Sequence, residues 1–279
     1  MVRVTVVVKI GGARAVDPEG VLADVAAVRD DGTDVVVVHG GSTAVDDTLE
    51  RMGMEPEYVE TPSGVVGRFT DAETMDVFTM AMAGRVNTDL VVGLRAEGVD
   101  AVGLSGVDGG LFEGPRKSAV RVLEDGRKKI RRGDHSGRIE SVDGDLLETL
   151  LAGGYTPVVS PPMLADEGVA VNTDADRAAA AVAAELGARL VSLTDVAGVY
   201  RDPDDPATVI DRVETPAEYE ALTEAAEGFM ERKVMAAEEA LASGAESVTV
   251  ADANADAPVQ SALNGGGTHV LPGALGGEK

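Results

Sequence analysis

Two short runs of valine constrain the fold of this chain more than any other feature. Residues 4–10 and Asp34–His39 consist almost entirely of β-branched residues, without a regular alternation of apolar and polar side chains. Strands with one face in water show that alternation, whereas a continuous apolar run is typical of a strand covered on both faces. Both runs therefore predict buried strands of a parallel sheet.

Helical and strand-like patterns alternate along the rest of the chain. They predict helices at residues 18–30, 43–52, 71–97, 174–186, 230–243 and 259–263, and strands at residues 101–104, 157–160, 189–194 and 247–251. Such alternation is typical of a three-layer α/β fold with a mainly parallel central sheet between helices. We expect a single domain over residues 1–279, with an N-terminal lobe of about residues 1–160 and a C-terminal lobe of about residues 161–279.

Composition excludes several classes of function. The net charge of −25, from 24 basic and 49 acidic residues, argues against a surface that attracts nucleic acid. The chain has no cysteine, which excludes thiol catalysis, cysteine-ligated zinc and disulfides. With no leader pattern and no 18-residue apolar run, we expect a soluble cytoplasmic protein without membrane contact. The acid-rich, lysine-poor composition is typical of a halophilic host.

Each valine run ends in a pair of glycines before a predicted helix. Gly11 and Gly12 follow the first run, whose last positions include Lys9, and Gly40 and Gly41 follow the second. The carboxyl ends of neighbouring parallel strands meet at one edge of a sheet, where backbone N–H groups of glycine turns can bind anions. Alternatively, each pair only makes a tight turn and Lys9 extends to water. The repeated arrangement favours phosphate binding.

Other familiar site patterns are missing from the sequence. It contains no Gly-x-x-x-x-Gly-Lys-[Ser/Thr] loop, and no Gly-x-Gly-x-x-Gly follows a predicted strand. Three histidines, His39, His135 and His269, are too scattered to predict a metal triad. No Gly-x-Ser-x-Gly elbow supports a serine hydrolase.

Three charged or polar segments near predicted helix starts are further candidates. Arg68 precedes a helix that Thr70 or Asp71 could cap, and it could bind a carboxylate, although a surface ion pair is the commoner role. Asn172 opens a segment, residues 172–176, that could cap the next helix or project toward the strand ends. Lys233 lies near a helix start, where the helix dipole disfavours a cation unless an anion lies nearby.

Taken in order, these segments resemble the amino acid kinase family, and within it the acetylglutamate kinase branch. The resemblance covers nearly the whole chain and includes residues 9–12, 39–41, 68–75, 172–176, 194–199 and 228–233. Residues 61–64 and 131–140 look closest to the kinases that act on an amino acid linked to a small acidic carrier protein, LysW. Ser42 departs from the branch, because many of its members have a third glycine there.

The resemblance implies transfer of the γ-phosphoryl group of ATP to the side-chain carboxylate of carrier-linked glutamate or 2-aminoadipate, in arginine or lysine biosynthesis. The two substrates differ by one methylene, and the sequence leaves both open. Mg²⁺ would bridge the ATP phosphates, with few or no direct protein ligands. The implied roles are charge neutralisation by Lys9 and Lys233, their orientation by Asp176, phosphoryl and acceptor binding by Gly11, Gly12, Gly40 and Gly41, substrate binding by Arg68 and Asn172, and nucleotide proximity of Thr194 and Asp195.

The segment from Arg116 to Arg138 differs from the rest of the chain in pattern and in charge. Residues 118–132 alternate around Asp125-Gly126, which predicts a β-hairpin. The segment carries nine basic and three acidic residues in a chain of net charge −25. This excess predicts a docking site for the acidic carrier protein, although neighbouring carboxylates could instead balance a charged hairpin. The predicted docking residues are Lys128, Lys129, Arg131 and Arg132.

Two other functions remain candidates. One is a kinase of free N-acetylglutamate, and the other is a nucleotide-sensing module without catalysis, against which the combination of Lys9, Asp176 and Lys233 argues. Only residues 1–3 precede the first predicted strand, whereas arginine-inhibited members of the branch are hexamers joined by an extra N-terminal helix. We therefore expect a homodimer without that form of inhibition.

Overall fold

The computed structural model describes residues 4–12, 18–62, 64, 66–124, 126–226 and 228–276. The helices are α1 (Pro18–Asp30), α2 (Ser42–Arg51), α3 (Ala72–Thr79), α4 (Asn87–Ala96), α5 (Gly144–Ala152), α6 (Ala175–Glu185), α7 (Pro216–Ala225), α8 (Phe229–Ala242) and α9 (Pro258–Leu263), and a π-helix (Met80–Val86) joins α3 to α4. The strands are β1 (Thr5–Ile10), β2 (Asp34–His39), β3 (Tyr58–Glu60), β4 (Val66–Arg68), β5 (Ala101–Gly106), β6 (Phe112–Gly114), β7 (Arg116–Glu124), β8 (Arg127–Gly137), β9 (Ser141–Val142), β10 (Thr156–Ala165), β11 (Ala170–Val171), β12 (Arg189–Thr194), β13 (Arg212–Val213), β14 (Ser247–Asp252) and β15 (Thr268–Val270).

A single large sheet runs through both halves of the chain. Its order is β13-β15-β14-β12-β1-β2-β10-β6-β9, with β5 and β11 also paired to β10. The six strands β14, β12, β1, β2, β10 and β5 are parallel, and the antiparallel pairs involve β9, β11 and β15. The predicted three-layer α/β fold with a mainly parallel sheet is confirmed.

The valine runs are almost entirely apolar because helices cover both faces of the sheet. Val7 packs with α6 and α8 on one face, while Val6 and Val8 pack with α1, α4 and α9 on the other. Side chains alternate between the faces along a strand, so Lys9 points to the same face as Val7. The fold therefore directs this lysine toward α6 and α8. A third, smaller apolar cluster joins α2 to α3 and the π-helix.

Most predicted elements have the expected position. The boundaries of α1, β2 and β12 coincide with the predicted ones, and the other predicted helices shift by one or two residues at their ends. The predicted helix 71–97 is helical throughout, but its middle third is a π-helix. The predicted strand 157–160 is longer, because β10 continues to residue 165 to pair with β6 and β11.

The predicted hairpin is the antiparallel pair β7–β8, in which Glu124 pairs with Arg127. The turn residue Asp125 lies outside the described residues, as do Ser63 of the carrier-kinase signature and residues 1–3. In the part of the chain that the structure describes, no helix is both long and apolar enough to cross a membrane.

The sequence prediction missed α5, α7 and the shortest strands. Strands of two or three residues, such as β9 and β13, are too short for a period to be recognised. Helix α7 did leave a signal, because Thr215 and Glu218 form a capping box and Pro216 occupies the first helical turn.

Candidate active site

Three charged side chains from three elements meet near the carboxyl end of β1. Lys9 lies in β1, Asp176 in the first turn of α6, and Lys233 in α8. The Nζ atoms of Lys9 and Lys233 lie 2.6 and 3.2 Å from the same atom, Asp176 Oδ1. The Lys9 side chain is 5% exposed and that of Lys233 is 9% exposed. Two cations therefore share one anion in a largely buried site.

Local structure explains why Asp176 is available to these lysines. The carboxylate of Asp174 caps α6 and accepts hydrogen bonds from the backbone N–H groups of Asp176 and Arg177, at 2.9 and 3.1 Å. The cap is thus a different residue, and the side chain of Asp176 projects from the first turn toward Lys9. Lys233 is the fifth residue of α8 and so lies beyond its first turn. Asp176 is the anion that explains its position.

Burial and the close charges shift the pKa values of Asp176 and Lys233. Burial alone would raise the pKa of Asp176, but the ammonium groups of Lys9 and Lys233 outweigh it and lower this pKa to about 2. Burial and the neighbouring Lys9 charge lower the pKa of Lys233 to about 8, against the opposing effect of Asp176. At neutral pH the carboxylate is ionised and the cluster carries a net positive charge.

The space between these three side chains is too small for a substrate. The cavity measures about 10 Å³ and is also lined by Ser192, the cross-strand neighbour of Lys9. Such a cavity holds at most about one water molecule, so a ligand has to approach from the strand ends. A cavity of about 390 Å³ lies at the opposite end of β12, around Arg189 and His269, and does not include the lysines.

The two glycine turns touch each other, as the sequence predicted. A Cβ atom on Gly12 would lie 2.2 Å from Gly41 N, and one on Gly40 would lie 3.0 Å from Gly12 N. Only hydrogen at these positions allows the two backbones to approach so closely. The N–H of Gly40 donates to the Ile10 carbonyl at 2.9 Å, which joins the two turns. Gly11 lies beside Gly12 in the first turn, and the N-terminus of α2 follows directly after Gly41.

Arg68 lies beside the second glycine turn, but its guanidinium already has protein partners. Its Nη2 atom lies 2.7 Å from Asp46 Oδ1 and donates to the backbone carbonyl and the hydroxyl of Ser42, at 2.9 and 3.0 Å. The side chain is 6% exposed and stacks near the ring of Tyr58. The arginine thus forms an ion pair that is buried rather than superficial.

Asn172 lies where the basic hairpin meets the helix that follows Arg68. Its side-chain amide donates to Thr70 Oγ1 at 3.1 Å, and its backbone N–H donates to the His135 carbonyl at 2.7 Å. The N–H of His135 donates to the Thr70 carbonyl. Asp71, not Thr70, caps α3, and it accepts from the N–H of Thr74 at 2.8 Å.

Thr194 and Asp195 lie at the carboxyl end of β12, the neighbour of β1. Their side chains bond each other, with Thr194 Oγ1 donating to Asp195 Oδ1 at 3.1 Å. The structure therefore places the candidate nucleotide-proximal residues at the same edge of the sheet as Lys9. No contact joins them directly to the lysine cluster among the interactions of the described residues.

The four candidate docking residues of the hairpin fall into two groups. Arg131 binds Glu57 with both guanidinium ends and lies 4.3 Å above the ring of Phe69, and Lys129 pairs with Glu124 at 2.8 Å. Lys128 and Arg132 have no side-chain hydrogen bond or ion pair within the described residues. Neighbouring carboxylates therefore balance the charges of Arg131 and Lys129, which was the alternative to a docking role.

Sequence reasoning missed the residues that hold the site from behind. Asp46, Tyr58 and Glu57 bind the candidate arginines, and Asn87 bonds His39 below the second glycine turn. These partners lie 10 to 74 positions away in the chain. No local pattern signals such pairs.

Within the described residues, no group of three or more histidine, aspartate or glutamate side chains could hold a metal ion.

The arrangement defines an α/β protein that carries paired lysines on one carboxylate, and two touching glycine turns, at the carboxyl ends of its central strands. The amino acid kinase family model matches residues 4–252. The chain is 45% identical over 267 residues to the LysW-aminoadipate kinase of Deinococcus radiodurans, which covers 95% of this chain and 91% of the relative. It is 42% identical to the acetylglutamate kinase of Methanopyrus kandleri, over 95% and 99% of the two chains.

A solved structure has the same fold. The N-acetylglutamate synthase of Neisseria gonorrhoeae, complexed with coenzyme A and N-acetyl-glutamate, superposes with a TM-score of 0.77 at 25% identity. The match covers 96% of this chain and 59% of the synthase chain. The chain belongs to the amino acid kinase family.

Proposed function

We propose that this protein transfers the γ-phosphoryl group of ATP to the side-chain carboxylate of glutamate or 2-aminoadipate linked to the C-terminus of a small acidic carrier protein, LysW. A carboxylate oxygen attacks the γ-phosphorus, the bond from that phosphorus to the bridging oxygen breaks, and ADP leaves with the electron pair. The products are an acyl phosphate and ADP. The observation that carries the proposal is the buried pair of lysines on one carboxylate, beside two touching glycine turns.

Charge explains how such a site could act. The transferred phosphoryl group spreads negative charge over its oxygens in the transition state, so positioned cations and N–H groups are the main requirement. Lys9 and Lys233 supply more positive charge than Asp176 neutralises. The N–H groups around Gly11, Gly12, Gly40 and Gly41 would hold the phosphoryl group and the acceptor carboxylate.

The two halves of the chain would bind different substrates. Arg68 and Asn172, on the N-terminal side of the site, would bind the α-carboxylate and amide of the amino acid. Thr194 and Asp195 would lie near the nucleotide in the C-terminal half. Mg²⁺ would be held mainly by the ATP phosphates, with few or no direct protein ligands, and would neutralise part of their charge.

The carrier protein would dock on the basic hairpin. Lys128 and Arg132 project without side-chain partners in the described part of the chain, and a small acidic protein complements such a surface. Kinases named for LysW-linked substrates are among the relatives. A second candidate substrate is free N-acetylglutamate, which the relationship to an acetylglutamate kinase supports.

The cellular context belongs to the same proposal. A net charge of −25 suits a soluble protein of a salt-rich cytoplasm, where counterions screen repulsion. We expect a homodimer, for which Met80 and Val92, exposed on the π-helix and α4, supply apolar surface. Light scattering would measure the mass, and a monomer or hexamer would contradict the dimer.

A competition between three acceptors tests the function. ATP turnover would be measured with the carrier bearing C-terminal glutamate, with the carrier bearing 2-aminoadipate, and with free N-acetylglutamate. We expect kcat/KM to be highest for a carrier-linked acceptor, with formation of a hydroxylamine-trappable acyl phosphate. Faster turnover of free N-acetylglutamate would favour the second candidate, and no turnover of any acceptor would contradict carboxylate phosphorylation.

A further inference from the structure

A buried pair of side chains lies directly behind the second glycine turn. His39, the last residue of β2, is fully buried, and Asn87, the first residue of α4, is 5% exposed. The Asn87 Nδ2 atom lies 2.8 Å from the Val158 carbonyl oxygen and 3.2 Å from His39 Nε2. On the other side of the ring, His39 Nδ1 lies 2.9 Å from the Gly40 carbonyl oxygen.

The carbonyl of Val158 determines the direction of every hydrogen bond in this chain of contacts. A carbonyl oxygen only accepts, so the atom of Asn87 that faces it is the amide nitrogen, which only donates. His39 Nε2 therefore accepts from Asn87. A neutral imidazole whose Nε2 accepts carries its proton on Nδ1, and that proton is donated to the Gly40 carbonyl.

Burial keeps the ring neutral. It lowers the pKa of His39 to about 4, although the bond to Gly40 opposes this effect. Apart from their bond to each other, His39 and Asn87 bond only backbone carbonyls among the described residues, and these belong to β10, β5 and the glycine turn. Apart from His39 itself, no ionisable side chain of the described residues bonds this pair.

The bond from His39 to the Gly40 carbonyl fixes the orientation of the Gly40–Gly41 peptide in the proposed site. In a trans peptide the carbonyl oxygen of one residue and the N–H of the next point in opposite directions. When His39 holds the Gly40 carbonyl inward, the N–H of Gly41 points away from the core. The nitrogen itself lies where the Gly12 and Gly41 backbones meet, since a Cβ on Gly12 would lie 2.2 Å from Gly41 N.

The surrounding elements leave room for this pair and little else. A Cβ atom on Gly103 of β5 would lie 2.1 Å from Asn87 Oδ1, so glycine is what admits the asparagine. The π-helix that precedes Asn87 places Met82 against Gly41, where an added Cβ would lie 2.5 Å from the sulfur. Wide helical turns of this kind are frequent at functional sites.

We propose that His39 and Asn87 are positioning residues that orient the Gly40–Gly41 peptide, so that the Gly41 N–H faces the transferred phosphoryl group or the acceptor carboxylate. This inference rests on the proposed phosphoryl transfer. Neither side chain touches a substrate. The pair acts through the backbone, and its effect on the peptide requires a proton on His39 Nδ1, which donates to the Gly40 carbonyl.

The tautomer can be tested without any substrate. In ¹⁵N-histidine-labelled protein, the ring nitrogens of His39 are assigned by comparison with His39→Gln and should show the neutral Nδ1–H form from about pH 5 to 8, as expected for a buried neutral ring. The Nε2–H tautomer or a protonated ring in that range would overturn the inference. This measurement stands even if the enzyme acts on a different acceptor.

Kinetics test the effect on the site. We expect His39→Leu to lower kcat about 10- to 100-fold with little change in the KM for ATP, because a misdirected N–H acts mainly on transition-state charge. His39→Gln should restore most of the activity, since its amide can donate to Gly40 and accept from Asn87. Thr156→Val, which removes a buried hydroxyl that has no hydrogen-bond partner at the first residue of β10, is the matched control and should keep wild-type kcat.

Asn87→Asp provides a test that a purely structural role would not pass. A carboxylate cannot donate to His39, but it favours the protonated ring, which still donates to Gly40. The ratio of variant to wild-type kcat should therefore rise as the pH falls. Wild-type kcat in His39→Leu, or an Asn87→Asp ratio that is constant with pH in a folded variant, would overturn the inference. If the wild-type enzyme turned over none of the three acceptors, that result would instead contradict the proposed function.

Discussion

At the level of single residues, an imbalance of charge distinguishes the site. Asp176 accepts two ammonium groups on one oxygen, so a positive charge stays uncompensated where water is scarce. Burying an unpaired charge is costly, and an incoming anion would relieve that cost. The cluster of Lys9, Lys233 and Asp176 is thus least stable when no further anion lies beside the two lysines. That property suits a site that favours charge developing during phosphoryl transfer.

Removal of either lysine should affect the chemical step more than binding. We expect Lys9→Ala and Lys233→Ala each to lower kcat roughly 100-fold or more, since each cation would act on transition-state charge. Thermal unfolding should show that both variants remain folded. Steady-state kinetics at saturating substrate provide the measurement, and near-normal kcat in either variant would remove that lysine from the mechanism.

The pH profile should report Lys233. Its pKa of about 8 in the free protein is lower than usual because of burial and Lys9, so the ammonium form is lost as the pH rises through that value. We expect kcat/KM, which reports the free enzyme, to fall above about pH 8. Bound ATP adds negative charge and raises the pKa of Lys233, so kcat should begin to fall at a higher pH than kcat/KM. A fall of kcat and kcat/KM at the same pH would argue against this assignment.

Arg68 shows how the structure refines a residue prediction. We expect Arg68→Ala to raise the KM of the amino-acid acceptor roughly 10- to 100-fold, because hydrogen bonds to charged groups contribute about 1.5–3 kcal/mol. Since Arg68 also pairs with Asp46, this variant should also unfold at lower temperature. Asp46→Asn keeps the cation and is the control that separates the two effects. A higher KM for ATP instead would assign Arg68 to the nucleotide.

At this same scale, some residues could be predicted and others could not. Lys9 was recognisable because a cation inside a buried strand needs a partner, and the glycine pairs were recognisable because they repeat. The pairs Arg68–Asp46 and His39–Asn87 were not, because they join positions 22 and 48 residues apart on different elements. Only the tertiary fold brings α2 next to Arg68 of β4, and α4 next to His39 of β2.

At the level of elements, the sequence was most informative where burial is uniform. Strands β2 and β12 are covered on both faces, and their valine- and leucine-rich runs gave their boundaries directly. The π-helix was not predictable, because the residues Met80–Val86 suit an α-helix equally well. In the structure, Met82 of this segment lies against Gly41, and Asn87, which follows it, bonds His39. Its contribution to the site became visible only in three dimensions.

The hairpin β7–β8 is the element with the sharpest prediction. We expect Lys128→Gln with Arg132→Gln to raise the KM of the carrier-linked acceptor about 3- to 10-fold, since an exposed charge pair contributes up to about 1 kcal/mol. ATP binding and turnover of any free N-acetylglutamate should not change. Arg85→Gln with Arg95→Gln removes two exposed positive charges elsewhere and is the matched control.

Arg131 should behave differently from its neighbours. Its bonds to Glu57 and its contact with Phe69 attach the hairpin to the body of the protein, so its removal should affect stability as well as docking. It is therefore left out of the docking variant. Unchanged carrier kinetics in the double variant at moderate salt would mean that the hairpin is only a solvated surface.

At the level of the whole molecule, the dominant feature is a net charge of −25 on 279 residues. Like charges at this density repel one another in the compact state and destabilise it. The ion pairs of the described residues, such as Arg95–Asp100 and Arg212–Glu214, are mostly exposed and contribute little individually. Stability should therefore depend on the salt that screens the repulsion.

The salt response provides the last prediction. At 0.1 M salt the screening length is about 10 Å, and at 1 M it is about 3 Å, so repulsion between neighbouring carboxylates weakens across this range. We expect the unfolding temperature to rise as KCl increases from 0.1 to about 2 M. Sucrose, which favours the folded state without screening charge, is the control for a general solvent effect. Over the same range the carrier KM should increase, because the attraction between the hairpin and an acidic partner is screened too. An unfolding temperature that falls steadily with KCl would contradict the view that self-repulsion limits the stability of this protein.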